Sequence, residues 1–180
     1  MNSMKSILAQ TNISLDLETL GKVPGSIILT IGACTFDEKY KFYEKINIED
    51  SAAWAFTEDR ETSKWWSEQR PDVKEEAFSG ELLVPEALGM FSDWFKSLPG
   101  DIKEKNIWGN GALFDIAILA KAYDLVNMDK PWHYRGEMCL RTLRRILPHV
   151  APPPFVGREH VAIDDAVNQA KHAQLLLSMI

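Results

Sequence analysis

The chain has 180 residues, and its 20 Lys and Arg against 26 Asp and Glu give a formal net charge of −6. This length favours one domain with a sizeable core, and we expect residues 1–180 to form it. The acidic balance excludes a protein that coats duplex nucleic acid, because such binding comes mainly from Lys and Arg that replace counterions. It is compatible with an enzyme that handles a few phosphates at one site.

The composition also indicates where the protein works. The sequence has no apolar run near the ~20 residues that a membrane-spanning helix needs, so we expect no membrane partner. Its first residues lack the pattern of a signal peptide. Two cysteines, Cys34 and Cys139, are too few for a disulfide scaffold and are expected to be buried thiols. We therefore predict a cytoplasmic protein.

The first part of the chain predicts three strands. Residues 12–19 alternate between apolar and polar side chains, which is the pattern of a half-buried strand. Residues 26–36 are apolar and β-branched, and residues 42–48 alternate again. Because only short turns separate these segments, we expect an antiparallel meander.

The rest of the chain alternates helices with short strands. The pattern is helical over residues 49–98, where Pro71 is expected in the first turn of one helix and residues 85–98 form another. Further helices are expected over residues 113–125, 140–147 and 162–179, and short strands at 107–108 and 134–139. This order predicts an α/β fold with a mixed central sheet of about five strands, three antiparallel and then parallel additions, flanked by helices.

Two carboxylates lie on the first predicted strand. Asp16 and Glu18 are two residues apart, so both point to one face of the strand while Leu17 points to the other. Neighbouring carboxylates on a buried strand repel each other and are costly to desolvate, and a divalent cation compensates for both effects. The alternative is an exposed pair at a strand end, hydrogen-bonded to water.

A third acid, Asp115, lies at a transition from strand to helix. It can be a helix-start residue that the helix dipole favours. It can also bind a ligand, because ligands bind at the carboxyl ends of strands in open α/β sheets. The second interpretation places Asp115 near Asp16 and Glu18 across neighbouring strands.

His160 lies between a proline-rich loop and the last helix. Helical spacing would pair it with Asp164, but Gly157 favours a position outside the helix, and the residues alone leave Asp164 and Asp165 open. Several acids with one His and no nearby Cys suit Mg²⁺ or Mn²⁺ rather than zinc. Two such ions can hold the attacking water and the leaving oxygen of a phosphodiester, and a neutral His can take the water's proton.

Three motifs together resemble a known family. Asp16-Leu17-Glu18-Thr19, Asn110-Gly-Ala-Leu-Phe-Asp115 and His160-x-Ala-x-x-Asp165-Ala resemble, in order and spacing, the exonuclease motifs of the DEDD superfamily in its His-containing DEDDh branch. Residues 63–69 and 108–111 resemble the exonuclease VIII-like and phage-type enzymes more than polymerase proofreading subunits. The resemblance implies a ribonuclease H-like fold and stepwise hydrolysis from a 3′ end to nucleoside 5′-monophosphates.

The resemblance also implies roles for individual residues. The implied ligands of two Mg²⁺ or Mn²⁺ ions are Asp16, Glu18, Asp115 and Asp165, which selects Asp165 over Asp164. His160 is the implied general base. The residues expected to touch the substrate are Leu17, Thr19, Asn110, Trp66 and Arg141. Leu17 can instead be a core residue, Arg141 and the basic residues near it can be solvated helix charges, and at least one of Trp65 and Trp66 is expected in the core.

The sequence therefore predicts a metal-dependent 3′–5′ exonuclease that acts on single-stranded ends, with DNA favoured and RNA as the alternative. A non-catalytic nucleic-acid-binding module that reuses the fold is the alternative from another class. Hydrolysis of another phosphodiester, such as a dinucleotide, is a third interpretation. The aromatic content is compatible with a homodimer as well as with an aromatic core.

Overall fold

A five-stranded mixed sheet forms the centre of the computed structural model, which describes residues 10–180. The strands are β1 (Asn12–Thr19), β2 (Ile28–Thr35), β3 (Lys41–Lys45), β4 (Asn106–Gly109) and β5 (Glu137–Cys139). Their order is β3-β2-β1-β4-β5. The pairs β1–β2 and β2–β3 are antiparallel, whereas β1–β4 and β4–β5 are parallel. The predicted sheet, three antiparallel strands followed by parallel additions, is confirmed.

Helices flank this sheet, as predicted. They are α1 (Ile48–Ala53), α2 (Arg60–Ser67), α3 (Pro71–Phe78), α4 (Val84–Ser97), α5 (Asp115–Leu125), α6 (Leu140–Ile146) and α7 (Ala162–Leu177), with a 3₁₀ turn at Tyr134–Gly136. The predicted helical region 49–98 is thus divided among α1 to α4. Asn47 begins α1 by accepting a hydrogen bond from the Asp50 amide, which explains why β3 ends before the predicted residue 48.

The two faces of the sheet pack against different helices. One apolar cluster joins the odd-numbered residues of β1 and β2 to α2, α3, α4 and α5. A second cluster joins Cys34 and Trp108 to α6 and α7. Because side chains alternate along a strand, Asp16 and Glu18 point from β1 towards the α7 side. β1 is the central strand, so these two acids lie in the middle of the molecule.

A glycine allows α7 to approach the sheet closely at this point. Gly32 of β2 pairs with Asp16, and a Cβ atom built on Gly32 would lie 2.2 Å from the carbonyl carbon of Ala162. Any larger residue at position 32 would push the start of α7 away from the sheet. Gly32 therefore sets the distance between β1 and Asp165, which lies in the first turn of α7.

Two expectations from the sequence concern other parts of the chain. Within residues 10–180, no helix is long and apolar enough to cross a membrane. The interpretation of the first residues as lacking a signal peptide falls on residues 1–9, which lie outside the described part of the chain.

Candidate active site

The two acids of β1 lie on the predicted face of the strand. Glu18 is 8% exposed, and Asp16 is half-buried. Leu17, between them, points to the opposite side and packs in the main core at 4% exposure. The alternative of an exposed acid pair at a strand end is therefore excluded.

Asp115 reaches the end of β1 from the first turn of α5. The pairing of β4 with β1 ends at Leu15. Two residues further along β1, the Leu17 amide donates a hydrogen bond to Asp115 Oδ1 (3.4 Å). The Gly111 amide donates to Asp115 Oδ2 (3.4 Å). Two main-chain donors thus fix a carboxylate that is 2% exposed. Asp115 is at once the helix-start residue and a member of the acid cluster, so the two interpretations of its role are compatible.

Gly109 provides the space that Asp115 occupies. A Cβ atom at position 109 would lie 2.9 Å from Asp115 Oδ2 and 3.1 Å from Asp115 Cβ. Sequence reasoning did not single out this glycine, because the contact joins a strand to the following helix through space.

The loop before α7 brings His160 to the same place. His160 has a backbone φ of 66°, so it lies outside the helix, and its amide donates to Asp165 Oδ2 at 2.7 Å. Asp164 instead accepts a hydrogen bond from the Arg158 amide (2.9 Å) and points to the loop. The structure thus places Asp165 rather than Asp164 with the other acids. Single ligand atoms of Glu18, His160 and Asp165 all lie within 4.8 Å of one another.

The surroundings of these four carboxylates disfavour their ionised form. Burial raises the pKa of Glu18 to about 8, and the negative charges of Asp165 and Asp115 act in the same direction. Burial likewise raises the pKa of Asp16 well above its usual range, helped by the charges of Asp115, Glu18 and Asp165. Burial raises the pKa of Asp115 to about 6 and also raises the pKa of Asp165, although main-chain hydrogen bonds oppose both changes.

These residues fit a divalent cation. All four acids offer carboxylate oxygens, which are the ligands that Mg²⁺ and Mn²⁺ prefer. Their raised pKa values show that the negative charge lacks compensation from cationic side chains. A bound cation would supply that compensation, so the chemistry of the donor set matches the metal predicted from the sequence.

A cavity of about 550 Å³ opens beside the acids. Its lining includes Asp16, Leu17, Glu18, Thr19, Gly21, Lys22, Glu61, Thr62, Trp65, Trp66, Asn110, Phe114, His160, Asp165 and Gln169. The Trp65 ring packs edge-to-face on the His160 imidazole, with 4.8 Å between ring centroids and 90° between planes. This volume is within the range of small-molecule sites, and the aromatic wall can take a flat ligand.

The structure corrects the expectation that the Trp66 ring is open to the substrate. Trp66 is 1% exposed, and its indole N–H donates to the main-chain oxygen of Thr19 (2.9 Å), so it borders the cavity from within the core. Trp65 is 38% exposed and is the member of the pair with an open ring. Adjacent residues on a helix cannot share a face, so one ring is buried beneath the other.

The other residues expected to touch substrate are distributed around this cavity. Leu17 and Thr19 are both buried, and the Thr19 hydroxyl donates to the Gly21 main-chain oxygen (2.7 Å). Asn110 lines the cavity, whereas Arg141 lies outside the lining, with its guanidinium beside Gly111. Substrate roles for Leu17, Thr19, Asn110 and Arg141 stay predictions.

Gln169 is a site residue that sequence reasoning missed. Its side-chain amide donates to Asp16 Oδ1 (2.7 Å) and opposes the rise in the pKa of Asp16. Gln169 lies four residues after Asp165 on α7, so the two side chains share one face of the helix. That spacing is the signal by which the sequence alone would have found it.

Comparison with solved structures identifies the fold of this chain. The crystal structure of cell-death related nuclease 4 (CRN-4) superposes with a TM-score of 0.65 at 15% identity, over 93% of this chain and 64% of that chain. This chain thus spans just under two thirds of the CRN-4 structure. The nuclease domain of 3′hExo, a DEDDh family member bound to rAMP, gives a TM-score of 0.57 at 13% identity, over 93% of this chain and 92% of that chain. The ribonuclease H-like fold is therefore confirmed.

The family follows from the sequence itself. Residues 11–177 match the model of the 3′-5′ exoribonuclease Rv2179c-like domain, and the chain belongs to this family. A search of the curated proteins finds no significant match. The predicted enzyme class, a 3′–5′ exonuclease, is confirmed at the level of the family. The DEDDh branch and the closer likeness to exonuclease VIII stay predictions.

Proposed function

We propose that this chain hydrolyses single-stranded nucleic acid from the 3′ end and releases nucleoside 5′-monophosphates, with two divalent cations and His160 as the general base. The observation that carries the proposal is the convergence of Asp16, Glu18, Asp165 and His160, from distant parts of the sequence, at one cavity, with Asp115 close enough to act on the charge of Asp16. The family supports the reaction type.

The residues that would hold the cations are Asp16, Glu18, Asp115 and Asp165. When bound, such ions neutralise charge on the phosphate oxygens and make water a stronger acid. Gln169 and the main-chain amides of Leu17 and Gly111 hold Asp16 and Asp115 in place. The protein therefore presents its acids in fixed positions before substrate arrives, which reduces the reorganisation needed during reaction.

His160 would accept the proton of the attacking water. Histidine is the side chain whose charge changes between pH 5 and 8, so its neutral form can act as a base near pH 7. Its amide is tied to Asp165, and its ring rests on Trp65, so two contacts fix the imidazole at the cavity wall. The left-handed backbone at His160 is a strained conformation that these contacts maintain.

The main cavity would hold the terminal nucleoside. Its walls combine the open ring of Trp65 with Phe114 on one side and the acids on the other. A base can stack on an aromatic ring whatever its identity, which fits an enzyme that removes every nucleotide in turn.

The family description favours RNA as the first substrate to test, and the structure of 3′hExo, a similar fold, contains a ribonucleotide. The preference for DNA that the sequence analysis favoured stays a prediction. The two sugars differ by the 2′-hydroxyl, so a direct competition between RNA and DNA oligonucleotides of the same sequence decides between them.

The test of the function is a gel of 5′-labelled single-stranded RNA and DNA with Mg²⁺, Mn²⁺ or chelator. We expect a ladder of single-nucleotide steps from the 3′ end that needs the cation. Asp165→Asn should abolish the ladder, whereas Asp164→Asn is the matched control, because an amide oxygen can still accept from the Arg158 amide. Binding of oligonucleotide without a cation and without release of mononucleotides would instead establish a non-catalytic binding module.

A further inference from the structure

A second cavity, of about 370 Å³, adjoins the main cavity at Asp165. It shares three lining residues with the main cavity: Asn110, Asp165 and Gln169. The shared wall therefore contains one of the proposed metal ligands. A strand whose scissile phosphate lies at the acids has space on both sides of that phosphate.

The second cavity is lined by a cation that no acid neutralises. Arg144, on α6, is exposed, and its guanidinium donates to Asn110 Oδ1 (3.3 Å) in the shared wall. Among the ion pairs of residues 10–180, none involves Arg144. The acids that line this cavity are Glu159 and Asp165. An uncommitted guanidinium facing a cavity is suited to a phosphate, which it can contact through two N–H groups.

The shared wall also has an acceptor without a donor. Gln169 uses its amide N–H on Asp16, and its Oε1 atom is buried with no hydrogen-bond partner among the described residues. Buried polar atoms are nearly always paired, so an unpaired acceptor at this position marks a place where a ligand or a water supplies the donor.

We propose that the second cavity holds the nucleotide on the 5′ side of the scissile bond and that Arg144 contacts its 5′-phosphate. The inference rests on the proposed function and adds the path that the strand follows on the 5′ side of the scissile bond. In the main cavity the exposed ring of Trp65 lies against His160, where a terminal base can stack, whereas the second cavity has Arg144, a cation without an acidic partner, together with the ring of Phe155. The terminal nucleotide brings only the scissile phosphate, so a cation beyond the acids serves the next phosphate of the strand.

The sharpest test compares two dinucleotides that differ by one phosphate. A dinucleotide with a 5′-hydroxyl has only the scissile phosphate, whereas its 5′-phosphorylated form adds the group that Arg144 would contact. We expect the wild-type kcat/KM to be on the order of tenfold higher for the phosphorylated form, the size typical of one hydrogen bond to a charged group. Arg144→Gln should remove this preference.

Arg145→Gln is the matched control, because Arg145 has the same charge on the same helix and lines neither cavity. A second control is the p-nitrophenyl ester of a nucleoside 5′-monophosphate, which has no preceding nucleotide. Arg144→Gln should lower kcat/KM for the 5′-phosphorylated dinucleotide by about tenfold more than for this ester.

Four outcomes separate the claims. If Arg144→Gln and Arg145→Gln lost the preference for the 5′-phosphorylated dinucleotide equally, the assignment of Arg144 would be overturned. It would also be overturned if Arg144→Gln lost as much activity on the ester as on the dinucleotides. A wild-type enzyme with no preference for the 5′-phosphate would also overturn it. A wild-type chain that cleaves neither the ester nor any oligonucleotide would contradict the proposed function itself.

Discussion

Replacing Glu18 with Gln should stabilise the metal-free protein while it removes metal binding. Glu18 is nearly buried among other acids, and its pKa is raised from 4.5 to about 8. A pKa difference of one unit corresponds to about 1.4 kcal/mol, so the ionised side chain costs the fold up to roughly 5 kcal/mol above pH 8. The uncharged amide avoids this cost but still buries a polar group, and we expect a net gain of about 2 kcal/mol.

The raised pKa of Glu18 sets the direction in which the stability of the metal-free protein changes with pH. Since the folded-state pKa of Glu18 is raised, its contribution to stability is fully present below pH 4.5 and is lost as the pH rises towards about 8. Wild-type protein in chelator should therefore lose stability between these values, and Glu18→Gln should lose less. The gain from the substitution is thus largest near pH 8.

Thermal unfolding followed by circular dichroism measures the gain. At pH 8 in chelator, about 2 kcal/mol corresponds to a rise in Tm of roughly 4–8 °C for a chain of this size. Added Mn²⁺ should raise the Tm of wild type and leave that of Glu18→Gln unchanged. Glu61→Gln is the control, because Glu61 lies at the same cavity with a side chain that is 83% exposed. A Tm for Glu18→Gln at or below wild type in chelator would refute the reasoning.

Three further substitutions test separate parts of the site. Gly109→Ala should weaken Mn²⁺ binding in calorimetric titration, because its Cβ would lie 2.9 Å from Asp115 Oδ2; unchanged affinity would contradict this account of the glycine. Trp66→Leu should lower the free energy of unfolding by about 3 kcal/mol, measured with denaturant, because its ring is buried. Trp65→Leu should fold normally and show a raised KM, and the reverse pattern would exchange the roles of the two rings. His160→Ala should lower kcat by roughly 10²–10⁴-fold, with Mn²⁺ binding largely retained; wild-type kcat would remove it from the mechanism.

The sequence predicted those features that depend on local periodicity. Alternation gave the bounds of β1 as residues 12–19, and the same alternation placed Asp16 and Glu18 on one face. Within residues 49–98, the helix that begins at Pro71 and the helix over residues 85–98 were predicted. The end of α1 was not, because a contact between helices accompanies it: the Trp54 indole N–H donates to Asp50, whose carboxylate also accepts from the Val84 amide at the start of α4. Local helical preference contains no information about such a contact.

The choice between Asp164 and Asp165 shows the same limit. Either acid can follow a histidine at the start of a helix, and only the left-handed backbone at His160 turns its amide to Asp165. The family resemblance selected Asp165, the acid that accepts from the His160 amide, for a reason that spacing alone does not contain. Gln169, by contrast, lies one helical turn beyond Asp165, so its place in the site was accessible from the sequence once that acid was fixed.

The arrangement of the site connects its chemistry to its stability. Two glycines, Gly32 and Gly109, let α7 and Asp115 approach closely enough for acids from three parts of the fold to share one region. Close approach concentrates negative charge and raises the pKa of these acids, which weakens the metal-free fold at neutral and alkaline pH. The same concentration strengthens cation binding, because the cation relieves both repulsion and desolvation. A protein built in this way should gain more stability from its metal than from any one of its surface ion pairs, each of which contributes about 0–1 kcal/mol.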